Sequence, residues 1–298
     1  MNKPTLWIMC GLSGSGKSTI AKKLAQEHEN TVIVSSDQIR EELTGDYENQ
    51  DRNNEVFQVF HKRIRENLEN EHDVIADATN LTMKSRRAIL QNVGNLDAEK
   101  ICYIIPKHVL VCRQDNKNRE HPVPEFVLDN QIRRFQFPFK EEGWGKIIIE
   151  NLHYRANMIN VINFMNEFDQ KTPYHNKTLG GHCDYTMRLF KKYHYPEHFG
   201  LAAFYHDVGK LYTQSFDENG IAHYFGHAEF SAYLVLSELH DTFCDLSNDE
   251  FLDMCFLINY HMFPFSWKTE KTERRWKERF GEYKYQMLLD FHECDITR

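Results

Sequence analysis

The chain has 298 residues and a net charge of −8, with 41% hydrophobic and 27% charged side chains, a composition that supports ordinary packed cores. That length predicts two domains of about 150 residues each. The acidic balance excludes a protein that coats nucleic acid nonspecifically, because that task needs a basic face.

The charge is unevenly shared: residues 1–150 carry 21 basic and 23 acidic side chains, against 15 and 21 in the remainder. A local basic groove in the first half stays compatible with these numbers. The second half holds 11 of the 16 histidines, a bias that suits metal binding. The seven cysteines form no C-x-x-C pair and no zinc-like spacing, which predicts a reducing, cytoplasmic setting. The apolar start Leu6–Gly11 is too short for a signal peptide, and no stretch approaches the roughly 18 apolar residues of a membrane span.

Leu6–Cys10 is a continuous apolar run, as expected of a strand buried on both faces. Gly11-Leu12-Ser13-Gly14-Ser15-Gly16-Lys17-Ser18 follows and fits the phosphate-loop pattern G-x-x-x-x-G-K-[ST]. Ser18–Gln26 then has helical spacing, and strand, glycine loop and helix is the context that gives this motif weight. Glycines let backbone N–H groups converge on phosphate oxygens, and the helix adds its positive N-terminal end. Gly11, Ser13, Gly14, Ser15, Gly16, Lys17, Ser18 and Thr19 are thus the expected ATP-binding set. Lys17 should reach the β- and γ-phosphates, and Ser18 should ligate Mg2+. Thr31–Ser35, Asp73–Ala76 and Ile101–Ile105 supply further short strands between helical stretches, which predicts an α/β fold with a parallel sheet.

Asp37 follows the second strand, at the carboxyl edge where such sheets bind ligands. An Asp there can accept the proton of an attacking hydroxyl, or it can simply cap a helix. Asp77-Ala78-Thr79-Asn80 follows the third strand and leads to Lys84, Arg86 and Arg87. Arg119, just before Pro122-Val123-Pro124, is placed either to close over a γ-phosphoryl group or to lie solvated on the surface.

Together GLSGSGKST (11–19), SSDQIR (35–40), DATNLTMKSRR (77–87) and RQDNKNREHPVP (113–124) resemble the kinase domain of phage and bacterial polynucleotide 5′-hydroxyl kinases over residues 5–150. The resemblance implies Asp37 as general base, Arg40 at the phosphate beside the acceptor hydroxyl, and Arg119 as lid arginine. Asp115 stands where some relatives carry a second lid arginine, and Arg113 is the substitute. Asp77, Asn80, Arg86 and Arg87 are expected at the acceptor.

Asn151–Phe168 predicts a connecting helix, and the polar stretch Asp169–Gly181 marks the join, giving domains at 1–150 and 173–298 with 151–172 between. Beyond His182 helical periodicity prevails, which predicts an all-α second domain. Leu201–Tyr205 is apolar and runs into His206-Asp207. Adjacent His and Asp at the end of such a helix have little packing logic, whereas imidazole nitrogen with carboxylate oxygen suits a divalent metal. His227 and His261 are candidates for a second metal or for phosphate.

The strings YHNKTLGGH (174–182), AAFYHDVGK (202–210), DENGIAHYFGH (217–227), INYHM (258–262) and LLDFHECD (288–295) resemble the HD domain of bacterial CCA-adding enzymes. The resemblance implies a metal set of His182, His206, Asp207 and Asp295, with Asp290 competing for the last place and Lys210 as a phosphate contact. It also implies a divalent metal such as Mn2+, Co2+, Ni2+ or Mg2+. Relatives include 2′-phosphatases and 2′,3′-cyclic phosphodiesterases, and kinase–HD fusions occur in RNA end repair, often in the opposite domain order.

The combined expectation is a cytoplasmic, bifunctional RNA end-healing enzyme. It would phosphorylate 5′-hydroxyl ends from ATP, remove 2′,3′-cyclic or 2′-phosphate ends, with 3′-phosphate as a further candidate, and work beside an RNA ligase. Two alternatives remain open: a nucleoside or other small-molecule kinase fused to an HD nucleotidase, and a regulatory ATP-binding module whose HD half senses a ligand.

Overall fold

The computed structural model describes residues 3–47, 49–152, 158–173 and 176–297, without the side chains of Met158 and Ile159. The chain forms two compact units, one of Met1–Gln131 with Glu142–Leu152 and the other of Ile132–Glu141 with His153–Arg298. A single cut after residue 150 does not describe this division, because Ile132–Glu141 belongs with the second unit.

The first unit contains β1 (Thr5–Cys10), α1 (Lys17–Glu27), β2 (Thr31–Ser35), α2 (Ser36–Thr44), α3 (Asn53–Glu69), β3 (Asp73–Asp77), α4 (Met83–Asn92), β4 (Glu99–Ile104), α5 (Val109–Lys117), most of α6 (Glu125–Arg133) and β5 (Lys146–Ile149). All five strands pair in parallel, in the order β2-β3-β1-β4-β5. β1 is buried from Leu6 to Cys10, as its unbroken apolar run requires. The chain turns to one side of β1 for β2 and β3 and to the other for β4, so the carboxyl end of β1 lies at the crevice where such sheets bind ligands. β2 and β3 run in register to their ends, Ser35 opposite Asp77, which brings the segments after both strands beside the glycine loop.

The second unit holds α7 (Met158–Glu167), α8 (Leu179–Phe190), α9 (Glu197–Tyr205), α10 (Lys210–Thr213), β6 (Ser215–Phe216), β7 (Ala222–His223), α11 (His227–Leu234), α12 (Asn248–Tyr260) and α13 (Glu270–Asp295). Of the expected connecting helix, Met158–Glu167 forms; residues 153–157, like Tyr174 and His175, lie outside the described residues. Among its described residues the unit is helical apart from the antiparallel pair β6–β7 and a single antiparallel bridge between Asp169 and Thr178. α8 packs on α9 and α13, and α12 packs on α9 and α11. α12 starts with a capping box in which Ser247 and Glu250 each bond the other's backbone N–H. Gly281, at φ 76°, breaks α13 into two helical pieces.

Phe135, Phe137 and Phe139 all bury their rings in this second unit. Phe135 meets Tyr233 edge-on at 5.2 Å, and Phe139 meets Phe256 at 5.2 Å and Phe280 at 5.3 Å. Among the described residues no strand pairs with this segment, and buried backbone groups must still be paired. Side chains do this instead: Asn259 Oδ1 accepts from the Phe137 amide at 2.9 Å, Asn259 Nδ2 donates to the Phe135 carbonyl at 3.1 Å, and the Tyr260 hydroxyl donates to the Phe137 carbonyl at 2.9 Å.

Candidate active sites

In the first unit the glycine loop is shaped by close approach. A Cβ on Gly14, whose φ is +79°, would lie 2.3 Å from the Cys112 carbonyl oxygen, so the loop closes against α5 only with glycine there. The Gly11 amide donates to the Thr79 carbonyl at 3.1 Å, and Lys17 Nζ donates to the Leu12 carbonyl at 2.8 Å. Burial pulls the Lys17 pKa down, opposed by the Asp77 and Asp37 carboxylates. Burial also raises the Asp77 pKa, against the pull of Lys17 and a hydrogen bond with Ser18. Ser15 Oγ is buried without a hydrogen-bond partner, while Ser18 and Thr19 are exposed.

Asp37 stands in the first turn of α2, but the cap is Ser35, whose side chain accepts from the Gln38 amide. The capping reading of Asp37 therefore falls away, and its carboxylate is half exposed. Arg40 Nη1 donates to Asp37 Oδ1 at 2.9 Å and Nη2 to Asn53 Oδ1 at 3.1 Å, while Arg40 Nε is buried without a partner. Arg119 Nη2 lies 3.8 Å from Asp37 Oδ2. Lys17, Asp77, Asp37, Arg40 and Arg119 thus form one connected charged group at the carboxyl edge of the sheet.

Several expected acceptor contacts are placed differently. Arg86 is fully buried, paired with Glu142 at 2.6 and 2.9 Å and donating to the Asn80 carbonyl at 3.1 Å. Glu142 and the Asn80 carbonyl hold its guanidinium fork inside the unit. Asn80, at φ 45°, is likewise spent on structure: its side-chain amide donates to the Met9 carbonyl at 2.9 Å, tying the turn to β1. Asp77 serves the loop side, with Ser18 and Lys17 as partners. Arg113 pairs with Asp129 and Glu125 of α6, which holds α5 to α6, and Asp115 pairs with Lys107. Arg87 is half-buried and Lys84 exposed.

Gln131 was not singled out by the sequence, yet its side chain clasps the loop. Its Oε1 accepts from the Ser13 amide at 2.8 Å and its Nε2 donates to Ser13 Oγ at 2.9 Å. No motif spacing announces a glutamine so far along the chain from the serine it holds.

The second unit brings its expected residues together. His182 Nε2 and His206 Nε2 each lie 3.0 Å from Asp295 Oδ1, and at 3.5 and 3.2 Å from Asp207 Oδ2. On the other oxygen of Asp207, His227 Nε2 is at 3.1 Å and His261 Nε2 at 3.6 Å. Asp207 therefore joins two groups of donors, His182–His206–Asp207–Asp295 and Asp207–His227–His261. Asp290, the competitor of Asp295, accepts instead from the Tyr195 hydroxyl at 2.6 Å and from Gln286 at 2.8 Å.

Backbone carbonyls aim the rings. Nδ1 of His206, His227 and His261 sits 2.8 Å from the carbonyls of Ala203, Tyr224 and Ile258 respectively, which leaves each Nε2 pointing into the cluster. Lys210 Nζ reaches Asp207 Oδ2 at 2.6 Å and Gln170 Oε1 at 3.0 Å. Burial opposes charge on His206, yet the Asp207 and Asp295 carboxylates raise its pKa well above the usual range. Burial would likewise raise Asp207, but His206, Lys210 and His227 hold it well below.

These residues fit a divalent metal. Asp207 Oδ1 is buried and meets neither facing imidazole in hydrogen-bond geometry, so an acceptor lone pair is left over for a cation. The separations of about 3 Å are also those of atoms sharing one ion at the roughly 2.0–2.1 Å bond lengths of imidazole and carboxylate ligands. The cluster opens on a cavity of about 530 Å³ whose wall includes His182, Asp207, Lys210, His227 and Asp295. No described helix is long and apolar enough to cross a membrane.

A family model described as an AAA domain matches residues 6–138, and one described as an HD domain matches residues 181–290. No curated protein matches the sequence significantly. Among solved structures, one titled the Pnkp1/Rnl/Hen1 RNA repair complex is similar at 20% identity, over 45% of this chain and 44% of that one, with a TM-score of 0.41. A fungal RNA kinase is 13% identical over 56% and 45% of the two chains, with a TM-score of 0.40. A gluconokinase from Sinorhizobium meliloti 1021 is 17% identical over 54% and 88%, with a TM-score of 0.35. The chain spans less than half the length of the RNA-repair and RNA-kinase chains it resembles. Residues 6–138, with their phosphate loop, are thus similar to AAA domains, and residues 181–290 to HD domains.

Proposed function

We propose that the chain heals RNA ends, phosphorylating a 5′-hydroxyl in its first unit and removing a 2′,3′-cyclic or 2′-phosphate in its second. The observation that carries the kinase half is Asp37. Its carboxylate is released from capping by Ser35 and flanked by Arg40 and Arg119. A hydrolytic switch needs no such base, whereas transfer to a hydroxyl does. Asp37 takes the proton of the attacking hydroxyl. Lys17 and the loop amides hold the β- and γ-phosphates of ATP, and Arg119 covers the transferring group. Arg40, with one buried N–H to spare, holds the phosphate next to the acceptor. Ser18 and Asp77 are the residues that would hold Mg2+.

In the HD unit, His182, His206, Asp207 and Asp295 would hold one divalent ion of the Mn2+, Co2+, Ni2+ or Mg2+ kind, with His227 and His261 available to a second. Such an ion supplies an activated water by lowering its pKa toward about 7. Lys210 offers a fixed positive charge to the phosphate oxygens, and Gln170 keeps its ammonium in place. Ends so prepared are the ones an RNA ligase joins, which makes a ligase the expected functional partner. The test is to incubate RNA bearing a 5′-hydroxyl and a 2′,3′-cyclic phosphate with ATP and divalent metals, then map both ends, with nucleosides as competing acceptors. A 5′-phosphate together with an opened or removed cyclic phosphate supports the reading. Faster transfer to nucleosides than to RNA would move the chain to nucleotide metabolism.

A further inference from the structure

The HD cavity has two chemically different ends. One is the buried His/Asp cluster with Lys210, suited to phosphate. The other carries Phe225, 68% exposed, and Phe265, 46% exposed, together with Met262. Exposed rings on the wall of an ionic pocket contribute nothing to holding metal or phosphate. They invite a flat apolar group attached to that phosphate.

The Phe225 ring is also held ready. It stacks on His223 with centroids 5.5 Å apart and planes only 5° from parallel. His223 ends β7 and lies 3.3 Å from Asp217 Oδ2 across the hairpin, and Asp217 Oδ1 accepts the Asn219 and Ile221 amides at 2.9 Å each. The intervening Tyr224 is anchored by Gln214, whose Nε2 donates to its hydroxyl at 2.9 Å, and its ring lies 5.3 Å from Lys210 Nζ. Immediately after Phe225 the chain turns through Gly226 at φ +78° into α11, which starts with His227 of the cluster. The aromatic face and one cluster histidine are thus set by the same few residues.

We propose that Phe225, backed by His223, is a stacking platform for the nucleobase of the nucleotide whose phosphate enters the HD cluster. This rests on the phosphohydrolase reading above and narrows its substrate class to nucleotide ends, as opposed to phosphate esters in general. Every base has a π face, so the platform accepts any base, and stacking of this kind is lost on truncation to alanine with a roughly 10- to 100-fold weakening. Because the ring is exposed and its neighbours are fixed by other bonds, Phe225→Ala should fold normally.

Two measurements on the full chain test this. The first compares kcat/KM for adenosine 2′,3′-cyclic phosphate and for glycerol 1,2-cyclic phosphate, which keeps the strained ring and lacks the base. Phe225→Ala should lower the value for the adenosine compound about 10- to 100-fold through KM and leave the glycerol compound unchanged, while Phe225→Trp retains activity on both. The second irradiates the protein with 5-iodouridine 3′-phosphate and maps the adduct by mass spectrometry, with attachment expected within His223–Phe225. Should neither cyclic phosphate be opened, the hydrolytic reading fails, and the adduct alone still decides the platform. Equal losses on both esters, or an adduct that forms elsewhere and survives Phe225→Ala, would overturn the proposal.

Discussion

Asp295 Oδ1 stands 3.0 Å from His206 Nε2, across 89 residues of sequence. Asp290, more than one helical turn earlier on α13, points its oxygens to Tyr195 and Gln286. Asp295→Ala is therefore expected to abolish metal retention and phosphohydrolase activity, and Asp290→Ala to keep both. Metal content after gel filtration checks the first property and cyclic-phosphate opening the second. Loss of both in Asp290→Ala alone would assign the closing ligand to the wrong carboxylate.

The two activities should separate by mutation. Asp207→Ala removes the carboxylate shared by both donor groups and should eliminate cyclic-phosphate opening with 5′-phosphorylation near normal. Lys17→Ala should give the mirror image. End-labelling of one doubly reactive RNA reports both activities in a single sample.

Asp37→Ala is expected to lower phosphoryl transfer about 10²–10⁴-fold while ATP binding persists. Ser35→Ala, which takes away the cap, should cost about 1 kcal/mol of stability with transfer largely kept. Transfer at the normal rate in Asp37→Ala would remove the base assignment.

Arg86 and Glu142 form a bidentate pair with side chains 0% and 1% exposed. Breaking such a pair leaves a buried charge unmatched and costs about 3–5 kcal/mol, so Arg86→Ala should sharply lower the denaturant midpoint of the first unit. Arg87→Ala should leave the midpoint in place. A stable Arg86→Ala protein that binds RNA ends poorly would restore Arg86 to the acceptor site.

Thiol labelling reads the packing of both units. None of the seven cysteines is in a disulfide, and Cys244 is the exposed one. Burial raises the thiols of Cys183 and Cys255, and pushes Cys294 up to about 11. At pH 8 a mild alkylating agent should modify one thiol quickly in the native protein and all seven after denaturation. Two or more fast thiols would contradict the packing of these helices.

The local patterns were legible because each is fixed by neighbouring residues. An apolar run, a glycine loop and a helix start specify β1, the loop and α1 within a short window. The His206-Asp207 doublet breaks an apolar helix where packing gives no reason to. Arg86 was not legible as a core residue, since its fate is set by Glu142, 56 positions away. On sequence alone it is one more basic side chain in a basic stretch. Gln131 escaped for the same reason, and the placement of Phe135, Phe137 and Phe139 depends on Asn259 and Tyr260, more than 100 residues later.

Glu141 and Glu142 are neighbours on the chain with opposite allegiances. Glu141 pairs with Lys284 of the second unit at 2.8 Å, and Glu142 with Arg86 of the first. No single peptide bond can be cut to give both units whole. An HD unit started at residue 151 would lack three phenylalanines of its own core and leave Asn259 and Tyr260 without their carbonyl partners. The chain crosses between the units three times, after Gln131, after Glu141 and after Leu152, so the second core borrows ten residues from the first half of the sequence.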